Sequence, residues 1–148
     1  MDLFGVFDIS AAGMSVEQTR LAVASSNLAN MRTSKMADGN AYQPLSVVVR
    51  SSEVTASSFA DAQAAVSAEA LPRPVVDSIA AIPTAPRLVY DPGHPDADER
   101  GFVALPAVDT LTTMLDLISV SRSYEANLRA FDITRDLIRR TIEMGSGR

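Results

Sequence analysis

The chain has no cysteine, a single histidine and no apolar run of membrane-spanning length. Without cysteine, disulfides, thiolate metal sites and thiol catalysis are excluded together, and the redox compartment stays open. A spanning helix needs roughly 18 consecutive apolar residues, and no stretch here approaches that. The N-terminal Met1-Asp2-Leu3-Phe4-Gly5-Val6-Phe7-Asp8 lacks the basic region of a cleaved secretory signal, so a soluble chain without a cleaved signal peptide is expected. No basic stripe exists. Arg139-Arg140 is a helix-end pair that suits the helix dipole, which argues against nucleic acid as a partner. Neither a phosphate-cradling glycine loop nor a Gly-x-Ser-x-Gly elbow occurs.

What is present is a contrast between ends and middle. The 148 residues make one domain's worth of chain, near the size where partners add useful burial. Apolar content of 47% argues against wholesale disorder. The net charge of −5 arises entirely in residues 51–107, because residues 1–50 and 108–148 each balance their acids and bases. Neutral ends and an acidic middle fit ends that are covered and a middle that is solvated.

Both ends read as helix. Over Phe7–Met31, Phe7, Met14, Leu21 and Leu28 recur every seven residues, and Ile9, Val16 and Val23 form a second row on another side. Asp8 or Ser10 is the expected cap. A helix apolar on two sides needs cover on two sides. Over Asp109–Met144, Leu117, Tyr124, Phe131 and Ile138 form a heptad row, with Met114, Ser121, Leu128, Arg135 and Ile142 as its alternating partner, interrupted at Ser121 and Arg135. Asp109 or Thr110 can cap this helix, and Gly145 with Gly147 ends it. At 1.5 Å per residue it would run ~50 Å. A compact chain of this size has a radius of gyration of only ~15 Å. The helix must protrude or pack along something else. Leu21, Leu28, Leu117, Tyr124 and Phe131 are expected to be mostly buried.

Tyr42–Val54 reads as a strand, as do Val75–Ile82, Leu88–Tyr90 and Phe102–Ala104. Residues 53–71 are Ala- and Ser-rich, a loop with some helix anchored by Phe59 and Val66. Seven of the eight prolines lie between Pro72 and Pro106, which excludes long helices there. The expected architecture is mainly α: two long antiparallel terminal helices forming a coiled-coil-like stalk (residues 1–35 and 108–148), with a small β-rich, Pro-rich middle lobe (36–107).

Candidate chemistry gathers at Asp91-Pro92-Gly93-His94-Pro95-Asp96-Ala97-Asp98-Glu99-Arg100-Gly101. A serine–histidine–acid site would draw on His94 and Asp96 but has no placed serine. A calcium loop would use Asp96 and Asp98 but meets Arg100 where an oxygen ligand belongs. The expected reading is a rigid turn, its angles set by Pro92 and Pro95 and by Gly93 and Gly101. Asn27 and Asn30 sit where asparagine commonly stops a helix, and Arg122, Glu125 and Asn127 are polar groups beside the second seam. No catalytic site, metal or cofactor is expected.

Those residues also carry a resemblance. Asn27-Leu28-Ala29-Asn30 followed by Thr33 resembles the N-terminal signature of bacterial flagellar axial proteins: rod, hook and hook-associated subunits. Tyr90–Glu99 with Gly101-Phe102-Val103, and Ser121-Arg122-Ser123-Tyr124-Glu125-Ala126-Asn127, look like motifs of the flagellar basal-body rod family, closest to its proximal-rod members. Departures are Ala107 for a usual Asn, bulkier Met31-Arg32 after Asn30, and Thr113 for a Glu before Met114. The resemblance implies a structural subunit whose terminal helices pair into an inner tube around the export channel, with the middle lobe outside. Its implied partners are copies of itself, other rod proteins, the membrane-embedded ring at the rod base and, during secretion, the export apparatus. Its implied place is the basal body, in the periplasm. Another axial protein or a non-flagellar coiled-coil adaptor would share the helical ends.

A rigid turn at 91–101 makes a direct prediction: His94→Ala removes no enzymatic activity and at most loosens the turn. Calorimetric titration with divalent cations checks the alternative. Tight stoichiometric binding that is lost on Asp96→Ala and Asp98→Ala would contradict the turn reading.

Overall fold

A computed structural model describes residues 3–36, 39–52 and 72–146. In chain order these form helix α1 (Leu3–Ala29), strands β1 (Leu45–Ser51), β2 (Pro74–Ala81), β3 (Arg87–Tyr90) and β4 (Phe102–Leu105), and helix α2 (Thr110–Ser146). The expected loop at 53–71 lies outside the described residues.

Helix α1 starts at Leu3, ahead of both expected caps. Ser10 is buried within the helix and cannot serve its first turn, while Asp8 lies 3.6 Å from Arg73 as an exposed ion pair. The row turned into the chain is Ile9–Val16–Val23: Val16 and Val23 are 4% and 9% exposed and join Tyr42 and Val103 as the buried apolar core. The other row is covered only in part. Leu21 is 41% exposed, and Phe7, Met14 and Leu28 are half-buried. Tyr124 is also exposed, and Leu117 and Phe131 are only half-buried, so the expected burial of these seam residues within one chain does not occur. One chain has too little material to cover both sides of α1.

Helix α2 begins where Asp109 caps it. The carboxylate accepts the N–H groups of Leu111 and Thr112, each at 3.3 Å, and the Thr112 hydroxyl. Hydrogen bonds from the Thr112 side chain and backbone hold the Asp109 pKa below its ordinary value. Over its 37 residues α2 would extend about 55 Å. Its inward residues are Leu117, Val120, Asn127, Phe131, Thr134 and Ile138, again in 3-4 spacing, with Tyr124 at the margin. The alternating row is thus Val120, Asn127 and Thr134, one position before the apolar row read from the sequence. Phe131 meets Phe7 edge-on at 4.7 Å. A Cβ on Gly13 would lie 2.9–3.2 Å from the Asn127 carboxamide. These two pairings run in opposite chain directions, so α1 and α2 are antiparallel there. Gly13 gives the polar Asn127 its place, and the Thr134 hydroxyl donates to the Ala130 carbonyl at 2.9 Å, so neither polar residue spoils the seam.

Strands β1 and β2 form one two-stranded sheet, β3 and β4 another. The first is closed at one end by Ser52 N–H to Arg73 O and at the other by Ile82 N–H to Pro44 O, both at 2.7 Å, an antiparallel arrangement. The second is antiparallel from Arg87↔Leu105 to Tyr90↔Phe102. The expected fold class is corrected here: the chain combines helix with two small antiparallel sheets and does not set aside a β-rich, Pro-rich middle lobe. One compact unit gathers Met1–Thr19, Val49–Asp77 and Val120–Arg148, and the other gathers Arg20–Val48 and Ser78–Ser119. Each mixes terminal helix with middle segment. The physical reason is that a two-stranded sheet has no core of its own and is only marginally stable unless it packs on a helix.

Two predictions follow from the helices. Gly13→Val should lower helical content by circular dichroism, and adding Asn127→Ala should recover at least half the loss, since the clash is with that carboxamide. A pKa depressed in the folded state means that Asp109 supports α2 above its ordinary carboxylate value, and that this support is lost as pH falls through the lowered one. Asp109→Asn should therefore abolish the acid-induced loosening of α2's first turn, read from amide exchange at Leu111–Met114.

Candidate assembly surface

The Asn motif at the end of α1 is densely bonded. The Asn27 carboxamide oxygen accepts the Leu45 N–H and the Tyr42 hydroxyl, both at 2.8 Å, and its Nδ2 donates to the Leu45 carbonyl at 2.9 Å. Asn27 is thus a cross-link to β1 rather than a helix stop. Asn30 does the stopping: Nδ2 donates back to the Ser26 carbonyl at 2.9 Å, and Oδ1 accepts the Thr33 hydroxyl at 3.2 Å. The backbone then turns at Gly39, whose φ of 84° favours glycine, and Tyr42 N–H returns to the Thr33 carbonyl at 3.3 Å. Tyr42 is 7% exposed, and its hydroxyl donates to Asn27. Sequence reasoning missed Tyr42. Its signal is an isolated aromatic placed between a Gly turn and a β-branched run.

Segment 91–101 is a bonded turn. Asp91 N–H donates to the Gly101 carbonyl at 2.9 Å, and Asp98 N–H to the Phe102 carbonyl at 2.8 Å. The Asp98 carboxylate accepts the N–H groups of Arg100 and Phe102 at 2.9 and 2.8 Å. His94 Nδ1 accepts the Asp96 N–H at 3.1 Å, and the Asp96 carboxylate accepts the Ser34 hydroxyl at 2.7 Å. Asp96 and Asp98 are therefore engaged separately, and among the described residues the acids do not gather into a metal-binding group. Gly101 has φ of 81° and a Cβ there would strike the Tyr90 ring at 2.9 Å, so glycine is required. Gly93 lacks a positive φ, so of the two glycines expected to carry unusual angles only Gly101 does. Pro92 and Pro95 are exposed at the turn's surface.

Two departures from the resembled motifs have visible roles. Met31 Sδ accepts the Thr110 hydroxyl at 3.4 Å, and the Thr113 hydroxyl donates to the Asp109 carbonyl at 2.8 Å. Arg122 is exposed, and Glu125 lies 4.0 Å from Arg129 in an exposed i,i+4 pair. Leu128, expected in the seam's partner row, is 41% exposed, like its neighbours in that row Met114 and Ile142. Leu111, Leu115, Ile118 and Ile133 are exposed on other sides of α2. A helix apolar on its inward and outward sides alike leaves large hydrophobic area in water, which folded chains keep when another chain covers it.

Comparison with known proteins agrees with these features at both ends and through the middle. Residues 7–34 match the family described as flagella basal body rod protein, and residues 99–144 match the flagellar basal body rod FlgEFG protein C-terminal family. The chain is 38% identical over 145 residues to the flagellar basal-body rod protein FlgC of Aquifex aeolicus, covering 97% of each. It is 36% identical to FlgC of Bacillus subtilis and 32% identical to FlgC of Escherichia coli O6:H1, in both cases over 98% of this chain and 99% of the relative. With whole-length likeness added to terminal helices that one chain leaves half covered, the protein belongs to the FlgC family of flagellar basal-body rod proteins, structural subunits of the proximal rod.

Proposed function

We propose that residues 1–35 and 108–148 polymerise with copies of this chain and with other rod proteins into a hollow tube, with residues 36–107 outside it. The tube transmits torque and surrounds the export channel. The observation that supports this reading is the outward apolar surface of α2, Leu111, Met114, Leu115, Ile118, Leu128 and Ile133, together with Leu21 on α1. Packing residues on this reading are Ile9, Met14, Val16, Leu21, Leu28, Leu117, Tyr124, Leu128, Phe131 and Ile138. The subunit crosses to the periplasm unfolded through the export apparatus, and the membrane-embedded ring at the rod base is a further partner. On this reading it performs no catalysis: His94 and Asp98 serve the geometry of the turn.

Cover supplied by neighbours should show in the isolated chain, which should be poorly helical or aggregate. A monodisperse monomer that melts cooperatively would contradict this. Leu128 offers the sharper test, because its exposure within the chain separates assembly from folding. Full burial of a leucine contributes about 1.5–3 kcal/mol, and an unpaired carboxylate adds a desolvation cost. Leu128→Asp should leave export intact, with subunit found outside the cytoplasm, yet give no rod and no motility. Normal rods and swimming would overturn the proposal.

A further inference from the structure

Asn27 behaves towards β1 as a neighbouring strand would. Its carboxamide accepts the Leu45 N–H and donates to the Leu45 carbonyl, the reciprocal pair that two strand residues exchange across an antiparallel ladder. Among the described residues β1 pairs with β2 alone, so a side chain of α1 stands in for a strand at the first residue of its other edge. The third bond, from the Tyr42 hydroxyl, belongs to a side chain too buried to exchange it freely for water. Tyr42 N–H in turn reaches Thr33 O, the Thr33 hydroxyl reaches Asn30, and Asn30 reaches Ser26 on α1. The bonds close a circuit from α1 to β1 and back. Asn27 and Ser26 lie in the last turn of α1, the part of a helix that frays first.

We infer that this circuit is a folding latch: β1 is held in place only while the last turn of α1 is helical, and opening either one releases the other. The inference rests on the assembly reading, in which neighbouring subunits complete the cover of α1. Docking of α1 then sets β1 in the same step, and a subunit in transit holds neither. The latch places Tyr42 and Asn27 as positioning residues for the strand.

Hydrogen exchange read by mass spectrometry tests it on the full chain, both soluble and in purified basal bodies, from peptides covering 21–29 and 45–48. Protection of the two segments should rise and fall together across the two states. In whichever state protects 21–29, Tyr42→Phe should speed exchange at 45–48 roughly fivefold, the ratio that one neutral hydrogen bond sustains. Ser25→Gly touches no latch atom but loosens the helix end, and should speed exchange at 45–48 about two- to threefold. Combined with Asn27→Ala and Tyr42→Phe, it should no longer move that segment. Protection at 45–48 in a state where 21–29 has none, or no response of 45–48 to Ser25→Gly, would overturn the latch. Immunoblots of purified basal bodies report separately whether each variant enters the rod, so failure of the latch and failure of the assembly reading give different results.

Discussion

Everything in this chain follows from a shortage of cover for its two helices. Helix α1 carries apolar rows on two sides and α2 carries apolar residues on its inward and outward sides, while the rest of the described chain offers only two small sheets. The chain resolves this by choosing one row of α1, Ile9–Val16–Val23, for its own core and leaving Leu21 out. Hydrophobic burial is roughly proportional to the area removed from water, so the uncovered row is free energy still available to a neighbour. On the proposed assembly, that free energy is realised between subunits.

Against that apolar background, a few polar residues set geometry. Asn127 sits on the seam because Gly13 has no side chain to exclude it. Asn27 makes three side-chain hydrogen bonds, all to Leu45 and Tyr42. Asp98 pins the turn that joins β3 to β4 by accepting two backbone N–H groups. Asn27 and Asp98 are satisfied by named partners, which is what lets them specify one arrangement at little cost.

The helices were legible in sequence because heptad spacing is a direct image of helical periodicity. Which row faces inward was not, since Phe7–Met14–Leu21–Leu28 and Ile9–Val16–Val23 are equally apolar and the choice is made by tertiary packing. The α2 seam was misread by one position for a related reason: Asn127 and Thr134 are polar, and a search for apolar partners passes to Leu128 instead. The start of α1 was placed late because Asp8 and Ser10 have good capping chemistry, yet Ser10 is buried inside the helix. The strands were found near their true places from β-branched runs and prolines. Their failure to form a lobe was not readable, because the bonds that draw β1 to α1 come from Asn27, 18 residues away in sequence.

The absence of cysteine makes the central claim directly measurable. Single cysteines placed at Leu115 and Leu128, with a control at the exposed Ser46, turn thiol labelling into a map of what the assembly covers. The account predicts that Leu115→Cys and Leu128→Cys react readily in the soluble chain and are protected in purified basal bodies, relative to Ser46→Cys in each state. Equal labelling of the helix cysteines in both states would mean that the apolar surface of α2 stays open in the rod, and would contradict the account.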